Sequence, residues 1–302
     1  MPTSQKPTSP ETTGNPDDPD PRNLSEITEE RLAEKGTRLT REDLAEVENR
    51  LRLRAAVVYE IIRQEGEEEL ARDGISLWWS GLAAGLSIGF SIVAEGLLHA
   101  YLPDAPWRPL FENLGYSVGF MIVILARQQL FTENTLTAVL PVISSRKPQN
   151  LKRTLRLWGI VFLANMAGTL IFAYGLSTGL FFSGETLSAF RDIAHHMMAL
   201  PASDMFWRGI IAGWIIATLV WLLPSAEASS VFVIIALTYL IALADLTHVI
   251  AGSVEAFLLA FDGDVTWENA VFGFLLPTLS GNIIGGSALF AILAHAQVRE
   301  EI

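Results

Sequence analysis

The sequence predicts an all-α membrane protein in which six transmembrane helices form an inverted 3+3 repeat, with the second and fifth helices interrupted. Three observations carry that reading. The chain of 302 residues is 50% hydrophobic, its mean hydropathy is +0.35, and its apolar residues come in runs long enough to cross a bilayer. Two of those runs are broken midway by polar residues, Arg127 to Asn134 in one and Asp245, Thr247, His248, Gly252 and Glu255 in the other. An ionisable side chain at that depth costs about 2.5–3.5 kcal/mol, so a lipid-facing helix does not carry such a break cheaply. The backbone there is instead buried in protein or lines a wet cavity. Third, the breaks match in position. Thr132 precedes Asn165 by 33 residues and His248 precedes Asn282 by 34, an offset of 116 at the breaks and 117 at the pairs Asn165–Gly168 and Asn282–Gly285.

Residues 1–38 read as a disordered acidic tail, too poor in large apolar residues to bury a core. Thr40 and Asp43 have the spacing of a capping box and open an amphipathic helix within 39–73. Leu44, Val47, Leu51, Ala55, Val58 and Ile62 recur there at steps of three and four. Such a stripe suits packing on the membrane domain, on a neighbouring subunit or on lipid headgroups. Glu42, Asp43, Glu46, Glu48 and Glu60 disfavour an anionic lipid surface.

The membrane domain, 74–302, holds segments near 75–100, 112–143 (broken), 154–180, 206–223, 229–260 (broken) and 267–296. Gly81, Gly85 and Gly89 in the first segment, and Gly209 and Gly213 in the fourth, repeat every four residues. That pattern lets helix backbones approach closely. Arg146, Lys147, Lys152, Arg153 and Arg156 crowd the second loop with no acid between them, which predicts that this loop is cytoplasmic. The first and fifth loops, with Asp104, Arg108, Glu112 and Asp262, Asp264, Glu268, then face the opposite side. Both termini are cytoplasmic. His195 and His196, beside Asp192, read as a solvated pair in the third loop, on the external side, not a metal site.

The net charge is −12, of which −7 falls in the first 74 residues, so it says little about a substrate. Such an acidic chain is not expected to bind nucleic acid. It has no cysteine, which excludes disulfides, thiolate metal sites and a cysteine nucleophile. No Ser/Lys, Asp/Asp or His-Glu-x-x-His arrangement marks an intramembrane enzyme, and no cofactor is expected.

Leu130-Phe131-Thr132 in the first break, Thr247-His248-Val249-Ile250-Ala251 in the second, Leu276 to Gly286 in the sixth segment, and Arg156, Trp158 and Asn165–Gly168 in the third together resemble the formate/nitrite transporter family. The resemblance spans about residues 75–298 and is strongest to the YfdC-like branch. It implies a homopentamer of aquaporin-like protomers in the bacterial inner membrane, each with its own pore for small monovalent anions. It implies that Thr132 hydrogen-bonds a central His248 and that Leu130 and Phe131 narrow the path. Arg156, Thr247, Asn165 and Asn282 fall along the same motifs. The chain departs from the family pattern at Thr247 and Gln129, where acids are usual, at Gly252 and Gly213, where asparagines are usual, and at Arg156 in place of lysine.

The residues support a role for His248 on their own terms. A helix broken at mid-membrane presents backbone N–H groups that attract an anion. Charge on an imidazole in an apolar pore is costly, and an approaching anion offsets that cost. His248 can then share a proton with the anion. Arg127 with Glu95, Glu133, Asp245 and Glu255 reads as one buried charge network, either a pathway of altered selectivity or a salt bridge pinning the two breaks together. The other function class left open is a closed membrane scaffold whose N-terminal region binds a partner.

Overall fold

The computed structural model describes residues 53–145 and 147–301. The expected tail, the start of the amphipathic helix as far as Arg52, and Arg146 lie outside the described residues. The described chain is helical. α1 (Ala55–Ala71) buries Val58, Tyr59, Ile62 and Leu70. Its apolar stripe meets the chain's own membrane domain, packing on α7 (Leu140–Ser145), α8 (Pro148–Ser177) and α14 (Ile292–Val298). Tyr59 reaches His295 Nδ1 at 2.8 Å. On the outer face Arg63 bonds Glu60 at 2.7 Å and holds the Glu60 carboxyl down at about 2.

Asp73 ends the link from α1 by accepting the Ile75 N–H at 2.9 Å, capping α2 (Gly74–Ile88). α3 (Phe90–Tyr101) continues it to make an apolar run of 28 residues. After a short α4 (Arg108–Glu112), α5 (Ser117–Leu125) runs inward and stops. The chain resumes as α6 (Asn134–Thr137) and α7. α8, α9 (Glu185–Met198) and α10 (Ala202–Leu222) follow. α11 (Ser230–Leu243) stops in its turn, and α12 (Val249–Asp262) takes over five residues later. The last run, 269–298, alternates π-helix with α13 (Leu276–Ile283) and α14. Four of these runs, 74–101, 148–177, 202–225 and 269–298, are long and apolar enough to cross a membrane.

The segment read as the third loop, on the external side, contains α9. Leu187, Ala189, Phe190 and Ala194 form its buried face, packed on α3 and α12. The face is only four residues, two of them alanine, and its flanks are polar, which is why the segment resembles a loop in sequence. His195 and His196 thus sit on a helix, 3.1 Å from Asp264 and Asp245 respectively.

Two close approaches set the spacing of the bundle. A Cβ on Gly85 would lie 2.3 Å from the Asn165 carbonyl oxygen, and one on Gly213 would lie 2.3 Å from that of Asn282. Only glycine lets α2 meet α8, and α10 meet α13, at this distance.

Candidate functional site

The site grows from the two places where the helix stops. Arg127 (φ 51°) follows α5, and Asp245 (φ 50°) follows α11. Both are left-handed without being glycine, a conformation costing about 1–3 kcal/mol that surrounding structure must hold. An asparagine does the holding at each break. Asn165 Oδ1 accepts the Phe131 N–H at 2.9 Å, while its Nδ2 donates to the carbonyls of Gly81 (2.7 Å) and Gln129 (2.9 Å). Asn282 Oδ1 accepts the Val249 N–H at 2.9 Å, and its Nδ2 donates to Gly209 (2.8 Å) and Thr247 (3.0 Å). Both side chains are fully buried. Each satisfies unwound backbone where no water is at hand.

These paired bonds correct the register read from sequence. Phe131 and Val249, Gln129 and Thr247, and Arg127 and Asp245 are each 118 residues apart, not 116. Thr132 and His248 therefore do not occupy matching positions; Leu130 matches His248. Sequence spacing aligns polar residues, whereas the bonds align the backbone they satisfy.

His248 stands at the N-terminus of α12, 1% exposed. Its Nδ1 accepts the Ala251 N–H at 3.2 Å, so that nitrogen carries no proton. Nε2 of the neutral ring then bears the hydrogen and donates it to Thr132 Oγ1, 2.7 Å away. Phe120 meets the ring edge-on at 5.0 Å. Thr247 turns away, donating to the Met205 carbonyl at 2.6 Å. Leu130 and Phe131 are buried, and Phe131 is wedged against Trp158 (5.6 Å) and Phe162 (5.2 Å).

Two cavities approach this centre. One, of about 500 Å³, is lined by Tyr116, Thr247, His248 and Gly252 together with Glu95, Glu112, Asp192, Asp245 and Glu255. The other, of about 520 Å³, is lined by Leu130, Arg127 and Gln128 together with Glu65, Glu68, Glu69, Glu133 and Glu227. Thr132, Phe131 and Phe120 line neither cavity; Thr132 and Phe120 contact His248, and Phe131 follows Leu130 in the chain.

The charged residues read as one network are thus divided. Arg127 and Glu133 line one cavity, while Glu95, Asp245 and Glu255 line the other. Arg127 is exposed and forms no ion pair within 4.0 Å of a described residue. The cause is the fold: residues that end corresponding helices emerge into different cavities. Arg156 also lies off the path. It is exposed and donates to the carbonyls of Arg72 (2.7 Å) and Leu70 (3.4 Å) at the end of α1, where a cation meets unpaired helix carbonyls. Asn165 and Asn282 brace the breaks and line neither cavity. Phe120 and Tyr116 gave no sequence signal, because an aromatic in an apolar run looks like any other core residue.

A family profile described as "Formate/nitrite transporter" matches residues 56–296. The chain is 49% identical over 255 residues to the inner membrane protein YfdC of Escherichia coli K12, covering 84% of this chain and 82% of that protein. It is 27% identical over 214 residues to YwcJ of Bacillus subtilis, described as an uncharacterized transporter, covering 68% and 82%. A solved pentameric formate channel with formate bound superposes with a TM-score of 0.63 at 22% identity, over 75% of this chain and 98% of that one.

Proposed function

The chain belongs to the formate/nitrite transporter family, and on that footing we propose that it passes small monovalent anions of weak acids, of the formate and nitrite kind, across the bacterial inner membrane. The observation that carries this reading is His248 held between two cavities by two hydrogen bonds, its Nε2–H on Thr132 at 2.7 Å. Leu130, Phe131 and Phe120 exclude hydrated ions from the narrows. An anion arriving beside the ring makes the cationic imidazolium less costly, so Nδ1 takes up a proton from the solvent in place of the Ala251 N–H, the Nε2 proton passes to the anion, and the acid crosses the apolar narrows neutral while the ring returns to its uncharged form. Thr132 keeps that nitrogen aimed at the path.

The protomer is an aquaporin-like, inverted 3+3 arrangement of six helices, the second and fifth interrupted at Arg127 and Asp245. Support comes from the matched asparagine bonds 118 residues apart. Five protomers assemble, as in the superposed pentameric formate channel; each has its own path, and lipid covers the rest of the apolar surface. The basic second loop and both termini are cytoplasmic. The protein acts as a transporter and not as an enzyme, without a cofactor and without nucleic acid.

A second reading, a closed membrane scaffold whose N-terminal region binds a partner, is favoured by one observation: carboxylates line both cavities, which opposes entry of an anion. Uptake of formate and nitrite by vesicles holding the purified protein separates the two. The channel reading expects uptake above that of empty vesicles; the scaffold reading expects none at any pH.

A further inference from the structure

We propose that the cavity facing His248 contains a binding site for a small monovalent cation, held by Glu95 and Glu255. The two carboxylates come from different helices, α3 and α12, which pack against each other, and both line this cavity. Their residues are only 7% and 6% exposed, yet neither carboxylate forms a hydrogen bond or ion pair with a described residue. The nearby acids Glu112, Asp262 and Asp264 differ in this respect. Glu112 is paired with His99 (3.0 Å) and Arg108 (3.2 Å), Asp262 with Arg191 (2.8 Å) and Asp264 with His195 (3.1 Å). Asp245, on the same wall, takes His196 at 3.1 Å and Arg208 at 3.9 Å. Those four acids have found cations within the chain, and Glu95 and Glu255 have found none among the described residues.

A buried carboxylate with no partner is costly, and the cost is relieved by a proton or by a counter-ion. The surroundings suit a counter-ion. Tyr116 lines the same cavity as the two carboxylates, its ring tilted against Phe120 at 5.2 Å, and adds one aromatic ring and a hydroxyl oxygen to that wall. Among the described residues no three His, Asp or Glu side chains are grouped as a metal centre. Two carboxylates and a hydroxyl fall short of the six or more oxygens that calcium takes. A singly charged ion of the size of sodium, potassium or ammonium, completing its shell with cavity water, is accommodated by this donor set. Bound there, it also lowers the negative charge of the wall that an anion must pass to reach His248. The proposal rests on the cavity and not on transport, so it stands or falls separately from the proposed function.

The test uses the full chain in detergent with no formate or nitrite present. Thermal unfolding is followed at fixed pH and ionic strength in the chlorides of sodium, potassium, ammonium and choline. The proposal expects at least one small cation to raise Tm by several degrees over choline, saturating with concentration, because a ligand that binds only the folded state stabilises it. Glu95→Gln and Glu255→Gln are each expected to lose that rise, with the unfolding transition in choline retained. Should either variant fail to fold, equilibrium dialysis of the wild type against radioactive sodium or rubidium reads the same site directly, with about one ion retained per chain expected. Equal Tm in all four salts with no ion retained, or a rise that survives in both variants, overturns the proposal. A Tm that follows pH and ignores the cation assigns the carboxylates to protons and overturns it equally. Cation binding without any anion uptake would sink the transport reading alone.

Discussion

His248 is tied at both nitrogens, and the two ties are worth different things. The Ala251 N–H on Nδ1 fixes the tautomer and caps α12; the Thr132 hydroxyl on Nε2 fixes the direction of the remaining proton. Thr132→Val leaves a buried N–H without its acceptor, a cost of about 1–3 kcal/mol. It is expected to lower Tm and slow uptake severalfold while uptake still rises with acidity. Asn282 carries more. Its amide bonds Val249, Gly209 and Thr247 together; Gly209 keeps its place within α10, so Asn282→Leu strands the other two buried backbone groups at about 1–3 kcal/mol each. That variant is expected to be lost as aggregate on size exclusion, where Thr132→Val elutes as wild type. Of these residues His248 drew attention in the sequence only because its apolar run is broken beside it and a second run is broken upstream at Arg127 to Asn134; alone, a buried histidine reads as an ordinary core residue. The bracing role of the asparagines was not legible there, since an amide on a helix does not show which loop it will reach.

Each interrupted helix is positioned by its neighbours more than by its own sequence. α5 and α12 are held where they are because α2 and α8, and α10 and α13, touch backbone to backbone at Gly85 and Gly213. Gly85→Leu forces that contact apart, and overpacking of this kind costs about 1–3 kcal/mol or more. The expected result is a lower Tm together with lost uptake, because Asn165 moves with the backbone it touches. The stops after Leu125 and Leu243 fall where polar groups interrupt apolar runs of the sequence. Their register was not legible, because the bonds that define it join residues 34 positions apart across two helices. α9 escaped for a different reason, its apolar face being short. α1 offers a titration at this scale. Glu60 is held at about 2, below its ordinary 4.5, chiefly by its bond to Arg63. Its stabilising effect is therefore full above pH 4.5 and is lost as pH falls toward 2. The Glu60 side chain is 43% exposed, which limits the pair to about 0.3–0.5 kcal/mol. Glu60→Gln is expected to lower Tm slightly at neutral pH, with the difference from wild type vanishing near pH 2.

Across the whole molecule, Trp79, Trp207, Phe232 and Phe272 are all more than 60% exposed, an apolar exterior that requires lipid or neighbouring protomers. The proposed orientation is open to test because the chain has no cysteine of its own. Asp104→Cys is expected to react with a membrane-impermeant maleimide on intact cells, and Lys152→Cys only after permeabilisation; the reverse pattern inverts the proposed topology. Proton-linked passage past His248 is tested most directly by uptake of labelled formate and nitrite into proteoliposomes as external pH is lowered, with wild type and His248→Phe side by side. The account predicts that wild-type uptake rises as the medium is acidified and that the variant, eluting at the same volume on size exclusion, shows none of that rise. A His248→Phe protein that takes up either anion as fast as wild type across the pH range would contradict it.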